Sequence, residues 1–479
     1  MRASAALAVV IFAVAVACSR KAAAPPGEAP TYSYVLDLPA AGSWSLGVEA
    51  TFERAPSDAL VAGGSRGAVR AVAMLDARGG SRTVEPRGEA WIVPECRASC
   101  RLRYTVDLDA LASGCNTLDC ARRVGDAVVG SASAWMLVPE PSGDAVLHVR
   151  VGSGDRARFA TGLRRADGDG YVLRARELGE ASYTAFGSMR TEHERVAGAS
   201  LDIELLGRPL AMTDRGAVDW VRNGAACVGG LFGRFPVDAT VFVVPVAGAD
   251  EVVFGRVFSL AGASVVLLFG SDTRAETAHD DWVVVHELFH LGTPSFVGEG
   301  HWLEEGLATY YEPILRERAH WLSEADLWRH FVDEMPRGLR KADSPPSIEE
   351  RDDIDSTYWG GALFALLADV RTLQETRGRR SLDDGLRAVL AREGDATHEA
   401  RVKDFVQTCD EASGTQATAQ VYKDFAMHGG AVDLDGMWRS LGIEAQEGGG
   451  APGSSPSVRL HDDAPLGWVR RAIAAGTRY

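Results

Sequence analysis

Residues 286–290 read His286-Glu287-Leu288-Phe289-His290, and a second stretch soon after reads Trp302-Leu303-Glu304-Glu305-Gly306-Leu307-Ala308-Thr309-Tyr310-Tyr311-Glu312. On a helix, residues four apart share one face. Two imidazoles at that spacing can reach one metal ion, with Glu287 beside them. Local signals favour a helix. Asp280 and Asp281 place negative charge where a helix starts, and Gly292 followed by Pro294 supplies a stop. The apolar residues Val283 to Val285, Leu288, Phe289 and Leu291 predict that this helix is buried nearly all round. Two histidines and a glutamate on such a helix need a partner, because buried charge is costly unless it is paired or metal-bound.

The second stretch resembles the W-L-x-E-G-[FL]-A-[ST]-Y motif of the gluzincin metallopeptidases of the aminopeptidase-N family. It is also similar to the W-x-x-E-G-[LF]-T-x-Y motif of the glycyl aminopeptidases. The resemblance implies a zinc site of His286, His290 and Glu305, the glutamate before Gly306. Fourteen residues separate His290 from Glu305, fewer than in aminopeptidase N. The loop is therefore tighter, and Glu304 and Glu305 both stand as candidates to face the metal; alignment to the glycine favours Glu305. Thr309 lies one turn along the same face, either as a hydrogen-bond partner for a ligand imidazole or as a plain helix threonine. Thr357-Tyr358-Trp359-Gly360-Gly361-Ala362 resembles the Y-x-K-G-A segment of the same families, with Gly360 in place of the lysine. That match implies that Tyr358 stabilises the reaction's oxyanion. Ala368-Asp369-Val370-Arg371 and Arg380-Ser381-Leu382-Asp383-Asp384 resemble the glycyl aminopeptidase type.

This resemblance covers about 200–441. It implies an α+β chain: an N-terminal β-sandwich-like domain, then a thermolysin-like (gluzincin) α/β-plus-helical catalytic domain. The implied activity is zinc-dependent hydrolysis of a peptide or protein substrate, with Glu287 as general base. Three protein ligands leave a fourth zinc position open, which is the catalytic pattern. One family feature is missing. The stretch 255–266 carries no acid, whereas aminopeptidase N anchors the substrate's free amine there, so endopeptidase and aminopeptidase action both stay open. The alternatives are a non-catalytic zinc-binding surface lipoprotein acting in binding or assembly, and a non-peptide hydrolase. His279, His301, His320 and His330 lack ligand spacing and read as surface or packing residues.

At 479 residues, more than one domain is expected. Apolar residues at 46% and charged residues at 24% describe a globular chain. A net charge of -16 argues against a nucleic-acid partner, which needs a basic face. Arg2 followed by the apolar run Ala3 to Ala17 reads as a signal segment (1–18), since a membrane span needs ~20 residues. Ala15-Val16-Ala17-Cys18 resembles a lipoprotein cleavage site, which implies a membrane anchor on Cys18 and a periplasmic or cell-surface location. An ordinary Ala-x-Ala cleavage site is the competing reading. A linker (19–31) leads into a β-rich domain (32–195), whose strand-like runs include 32–38, 68–75, 90–93, 102–106, 145–151 and 171–176. The catalytic domain (196–445) opens with strands at 200–206, 240–246 and 263–269 and a helix from Thr213 to Phe232. A linker (446–456) and a tail (457–479) follow. Six cysteines remain after Cys18. An even number in an exported chain suggests disulfides. Cys96, Cys100, Cys115 and Cys120 form a local cluster, for which a structural zinc site is the weaker reading. Cys227 and Cys409 are candidates to pair.

Overall fold

The computed structural model describes residues 29–115, 120–446 and 457–476. The signal segment, Cys18 and most of both linkers lie outside the described residues. Among those described, no helix is long and apolar enough to cross a membrane.

Strands dominate the N-terminal part and helices the C-terminal part. The strands Thr31–Asp37 and Ser45–Glu53 bury every second residue. That period of two places Tyr32, Tyr34, Leu36, Val48 and Phe52 on one face. Thr31–Asp37 runs parallel to Val146–Ser153 and antiparallel to Ser45–Glu53, inside a seven-stranded sheet among the described residues. A three-stranded and a four-stranded sheet contribute to the same core through residues such as Leu60, Trp91, Leu137 and Phe186. Tyr34 Oη donates to the Leu137 carbonyl at 2.8 Å, and Tyr104 Oη accepts from the Leu137 amide at 3.1 Å. Cys96 bonds Cys100, and Cys115 bonds Cys120. The cluster is therefore two local disulfides.

A five-stranded sheet begins at Met189–Val196, a strand that the expected boundary at 196 left to the N-terminal domain. Next come Ala199–Leu206, Ala239–Val246 and Ser264–Gly270 in parallel, with Val252–Phe258 antiparallel at the far edge. The strand Ser264–Gly270 is buried throughout. A strand covered on both faces reads as a continuous apolar run, as this one does. One face of the sheet, through Phe242, Val244, Phe258 and Val266, packs on Val129, Tyr183 and Ala185 of the four-stranded sheet. The other face carries the helices Asp214–Phe232 and Val283–His290. Thr213 caps the first of these, its Oγ1 accepting from the Gly216 amide at 3.0 Å.

Cys227 and Cys409 are both buried free thiols, which overturns the expected pairing. The first lies on the helix Asp214–Phe232 and the second on Val402–Ser413. Burial pushes the Cys227 thiol up to about 12, so both behave as small core side chains.

The segment 457–476 docks instead of hanging free. Ser457–Leu460 pairs antiparallel with Ile443–Gln446. The helix Gly467–Ala475 is held at its C-terminal end by Arg318, which donates to the carbonyls of Ile473 at 2.8 Å and Ala474 at 3.1 Å. The same guanidinium reaches the buried Asp383 carboxylate at 3.0 Å. Asp383 also accepts from Tyr311, and Asp369 accepts from Tyr310 and from the Leu382 amide. Arg318→Ala would leave a buried carboxylate and two carbonyls short of a donor. It should cost about 3 kcal/mol of stability. Urea unfolding followed by tryptophan fluorescence checks this, and an unchanged midpoint would refute it.

Candidate active site

The motif helix Val283–His290 is short and buried, as its apolar residues predict. Asp281 Oδ1 accepts from the Val283 amide at 2.7 Å and so satisfies the helix's first N–H, whereas Asp280 ends the preceding helix Ala275–Asp280. Gly292 serves differently from the expected stop. It does not take a left-handed φ, and an added Cβ there would overlap the ring of Phe232. Glycine is needed for close packing at that position.

The tight loop is closed by a two-stranded pairing, Ser295–Phe296 with Glu399–Ala400. Glu304 holds this turn, its Oε1 accepting from the Phe296 amide and from Ser295 Oγ at 3.3 Å. Glu305, next along the helix His301–Arg318, faces the histidines. Its Oε2 stands 3.2 Å from His286 Nε2 and 3.6 Å from His290 Nε2. The three ligand atoms lie within 4.8 Å of one another. The structure thus separates the two candidate acids: Glu304 braces the loop and Glu305 joins the triad.

The three groups bias one another. Burial and then Glu305 act on His290, and the carboxylate wins, carrying the imidazole up to about 9. Burial lowers His286. Burial raises Glu305, yet His290 and His286 together hold it well below the usual carboxylate range. Burial also pushes the Glu287 carboxyl up to about 7. Glu287 sits against the edge strand, where a Cβ on Gly255 would overlap its Cγ. Gly255 is therefore a close-approach position, a contact with Glu287 that the sequence does not signal.

Tyr358 joins the site from the start of another helix. Its ring stacks on His286, with centroids 6.1 Å apart and planes 13° apart. Burial, then the Glu305 carboxylate beside it, raises its phenol. It lies in the five-residue π-helical turn Ser356–Gly360, a wide turn often found at functional sites. The helix Gly361–Thr376 continues from it and crosses His301–Arg318 at Gly306 and Gly361, where an added Cβ on either would overlap the other's backbone. The glycines of both motifs are thus the contact that brings Tyr358 to Glu305. Thr309 does not support a ligand imidazole: its buried Oγ1 has no hydrogen-bond partner among the described residues. His279 packs on Trp321 and His330 on Trp359, while His301 lies exposed at the cleft rim.

A cleft of about 810 Å³ opens over the triad, lined by the edge strand, Glu287, Tyr358 and, from the N-terminal part, Glu180. The whole architecture matches solved structures. It is similar to an aminopeptidase N family protein from Idiomarina loihiensis, with TM-score 0.63 and 16% identity over 87% of this chain and 79% of that one. It is similar also to an M1 zinc metallopeptidase from Deinococcus radiodurans, with TM-score 0.50 and 15% identity over 85% of this chain and 96% of that one. The fold is aminopeptidase-N-like. At this identity the likeness shows the fold, and the chemistry rests on the triad itself. No family model and no curated protein matches the sequence.

The aminopeptidase-N-like arrangement separates the two neighbouring glutamates by experiment. Zinc offered to the triad should bind Glu305→Ala more weakly than the wild type, by more than the ~10–100-fold that loss of an outer partner costs. Glu304→Gln, which can still accept from Phe296, should bind it as the wild type does. Elemental analysis after dialysis against a graded chelator reads both, and equal retention by the two variants would refute the assignment.

Proposed function

We propose that the chain is a zinc-dependent peptidase. The observation that carries this reading is one constellation in one cleft: His286, His290 and Glu305 converge, with Glu287 and Tyr358 alongside. The donor set fits zinc, which takes imidazole nitrogen and carboxylate oxygen and leaves a position open when the protein supplies three ligands. The bound ion would supply Lewis-acid polarisation of the scissile carbonyl and activation of water. Glu287 takes the proton of the attacking water and delivers it to the leaving amine, a task suited to a carboxyl raised to about 7. Tyr358, its phenol raised by burial, donates a hydrogen bond from its hydroxyl to the developing oxyanion. The edge strand Val252–Phe258 offers its open side to an extended peptide.

Export as a lipoprotein anchored through Cys18 is part of this proposal. It is supported by the apolar run after Arg2, by Ala15-Val16-Ala17-Cys18, and by two disulfides that suit an oxidising compartment. Metabolic labelling with a fatty acid, lost in Cys18→Ser, tests the anchor.

The mechanism makes three kinetic predictions. Glu287→Gln should lower the rate by roughly 10²–10⁴ while zinc stays bound. Near-wild-type hydrolysis by the zinc-loaded variant would remove the mechanism. Tyr358→Phe should lower kcat more than it changes KM, and an unchanged kcat would take this tyrosine out of the reaction. Gly255→Ala should also lower kcat with zinc retained, because its methyl displaces Glu287; steady-state kinetics on the same peptides measures it.

A further inference from the structure

A second cavity, of about 470 Å³, adjoins the metal site and shares Trp282, His286 and Tyr358 with the main cleft. Its far wall comes from the helix Glu324–Glu334 and from the segment carrying Ile354 and Trp359. Both walls are aromatic: Trp282 meets His286 edge-on at 5.0 Å on the near side, and His330 meets Trp359 at 5.3 Å on the far side. Trp282 is 47% exposed and Ile354 is 71% exposed, although both are large and apolar. Exposed apolar groups gathered at one mouth mark a binding site more often than chance does.

Most charged groups lining this cavity are already paired; the Asp280 carboxylate, at its exposed rim, lies 3.5 Å from His279. Glu312 bonds Arg316 at 2.9 Å, Glu334 bonds Arg337 at 2.7 Å, and Arg337 also reaches Asp355 at 2.8 Å. Arg329 lies 3.4 Å from Asp333. An incoming charged side chain would lose its water and find these charges already matched, a cost with no return. An aromatic side chain would bury its faces against Trp282 and Ile354 and gain edge-to-face contacts.

Resting on the peptidase reading, we propose that this cavity is the pocket for the substrate residue next to the scissile bond, and that it selects a large uncharged side chain, above all an aromatic one. Because Trp282, His286 and Tyr358 line both spaces, a side chain seated here would lie beside a bond held at the triad.

The test is a peptide library varied one residue at a time on both sides of the cut, read with the zinc-loaded full chain. At one of the two flanking positions, Phe, Tyr or Trp should exceed Ala, Glu and Lys by roughly tenfold or more in kcat/KM. Ile354→Glu, at an exposed site, should reduce that ratio to below about threefold and improve cleavage with Lys there. Equal cleavage of all these peptides by the wild type overturns the pocket and leaves the peptidase reading standing. So does an Ile354→Glu protein that binds zinc and keeps the full preference. A zinc-loaded wild type that cuts no peptide overturns both.

Discussion

One carboxylate set against two imidazoles inside an apolar core is the constraint on which the rest depends. Glu305, His286 and His290 are held by helices whose other faces are packed with Val284, Leu288, Phe289, Leu303 and Leu307. Burying such groups is costly unless each meets an opposite charge or a metal. The neighbouring elements must therefore hold the three atoms together with little freedom. They do so through contacts with no spare volume: Gly306 on Gly361, Gly255 on Glu287, and Gly292 on Phe232. A methyl group at any of the three would push apart elements that carry Glu305, Glu287, His290 or Tyr358.

Much of this was legible along the chain because it is local. The spacing of four between His286 and His290 follows from helix geometry alone. The apolar runs at 240–246 and 263–269 read as buried strands because both faces of the sheet are covered. Thr213 reads as a cap because its hydroxyl needs only the next turn. The choice between Glu304 and Glu305 was not local. It depends on the pairing of Ser295–Phe296 with Glu399–Ala400, whose partner lies about a hundred residues away. Thr309 shows the opposite failure. Its position on the helix face is right, but the motif helix passes it without a hydrogen bond.

Tertiary contacts also decide what the later motifs do. Asp369 and Asp383 sit in stretches that look like part of a catalytic signature, yet both are buried behind the site. They accept from Tyr310, Tyr311 and Arg318. Burial pushes the Asp369 carboxyl up to about 7, with Asp383 adding to the shift. These residues fix the helix that carries Glu305 against its neighbours and, through Arg318, against the final helix. The tail is thus part of the frame, and nothing within 457–476 announces how its helix docks, since Arg318 lies more than a hundred residues earlier.

The N-terminal part has a comparable role. Its four-stranded sheet covers the outer face of the five-stranded sheet, and Tyr183 packs on Phe258 with ring centroids 4.6 Å apart. Phe258 ends the edge strand, and Gly255, three residues earlier, presses on Glu287. The strand is therefore clamped between the two units, with Glu287 on one side and Tyr183 on the other. Glu180 reaches the cleft from the same N-terminal part and lies 3.6 Å from Arg256 on that strand. A shift of the N-terminal sheet would carry Phe258 with it and disturb the contact that positions Glu287. Among the described residues of the β-rich part only Glu180 lines the cleft, yet the contact on Glu287 depends on that part.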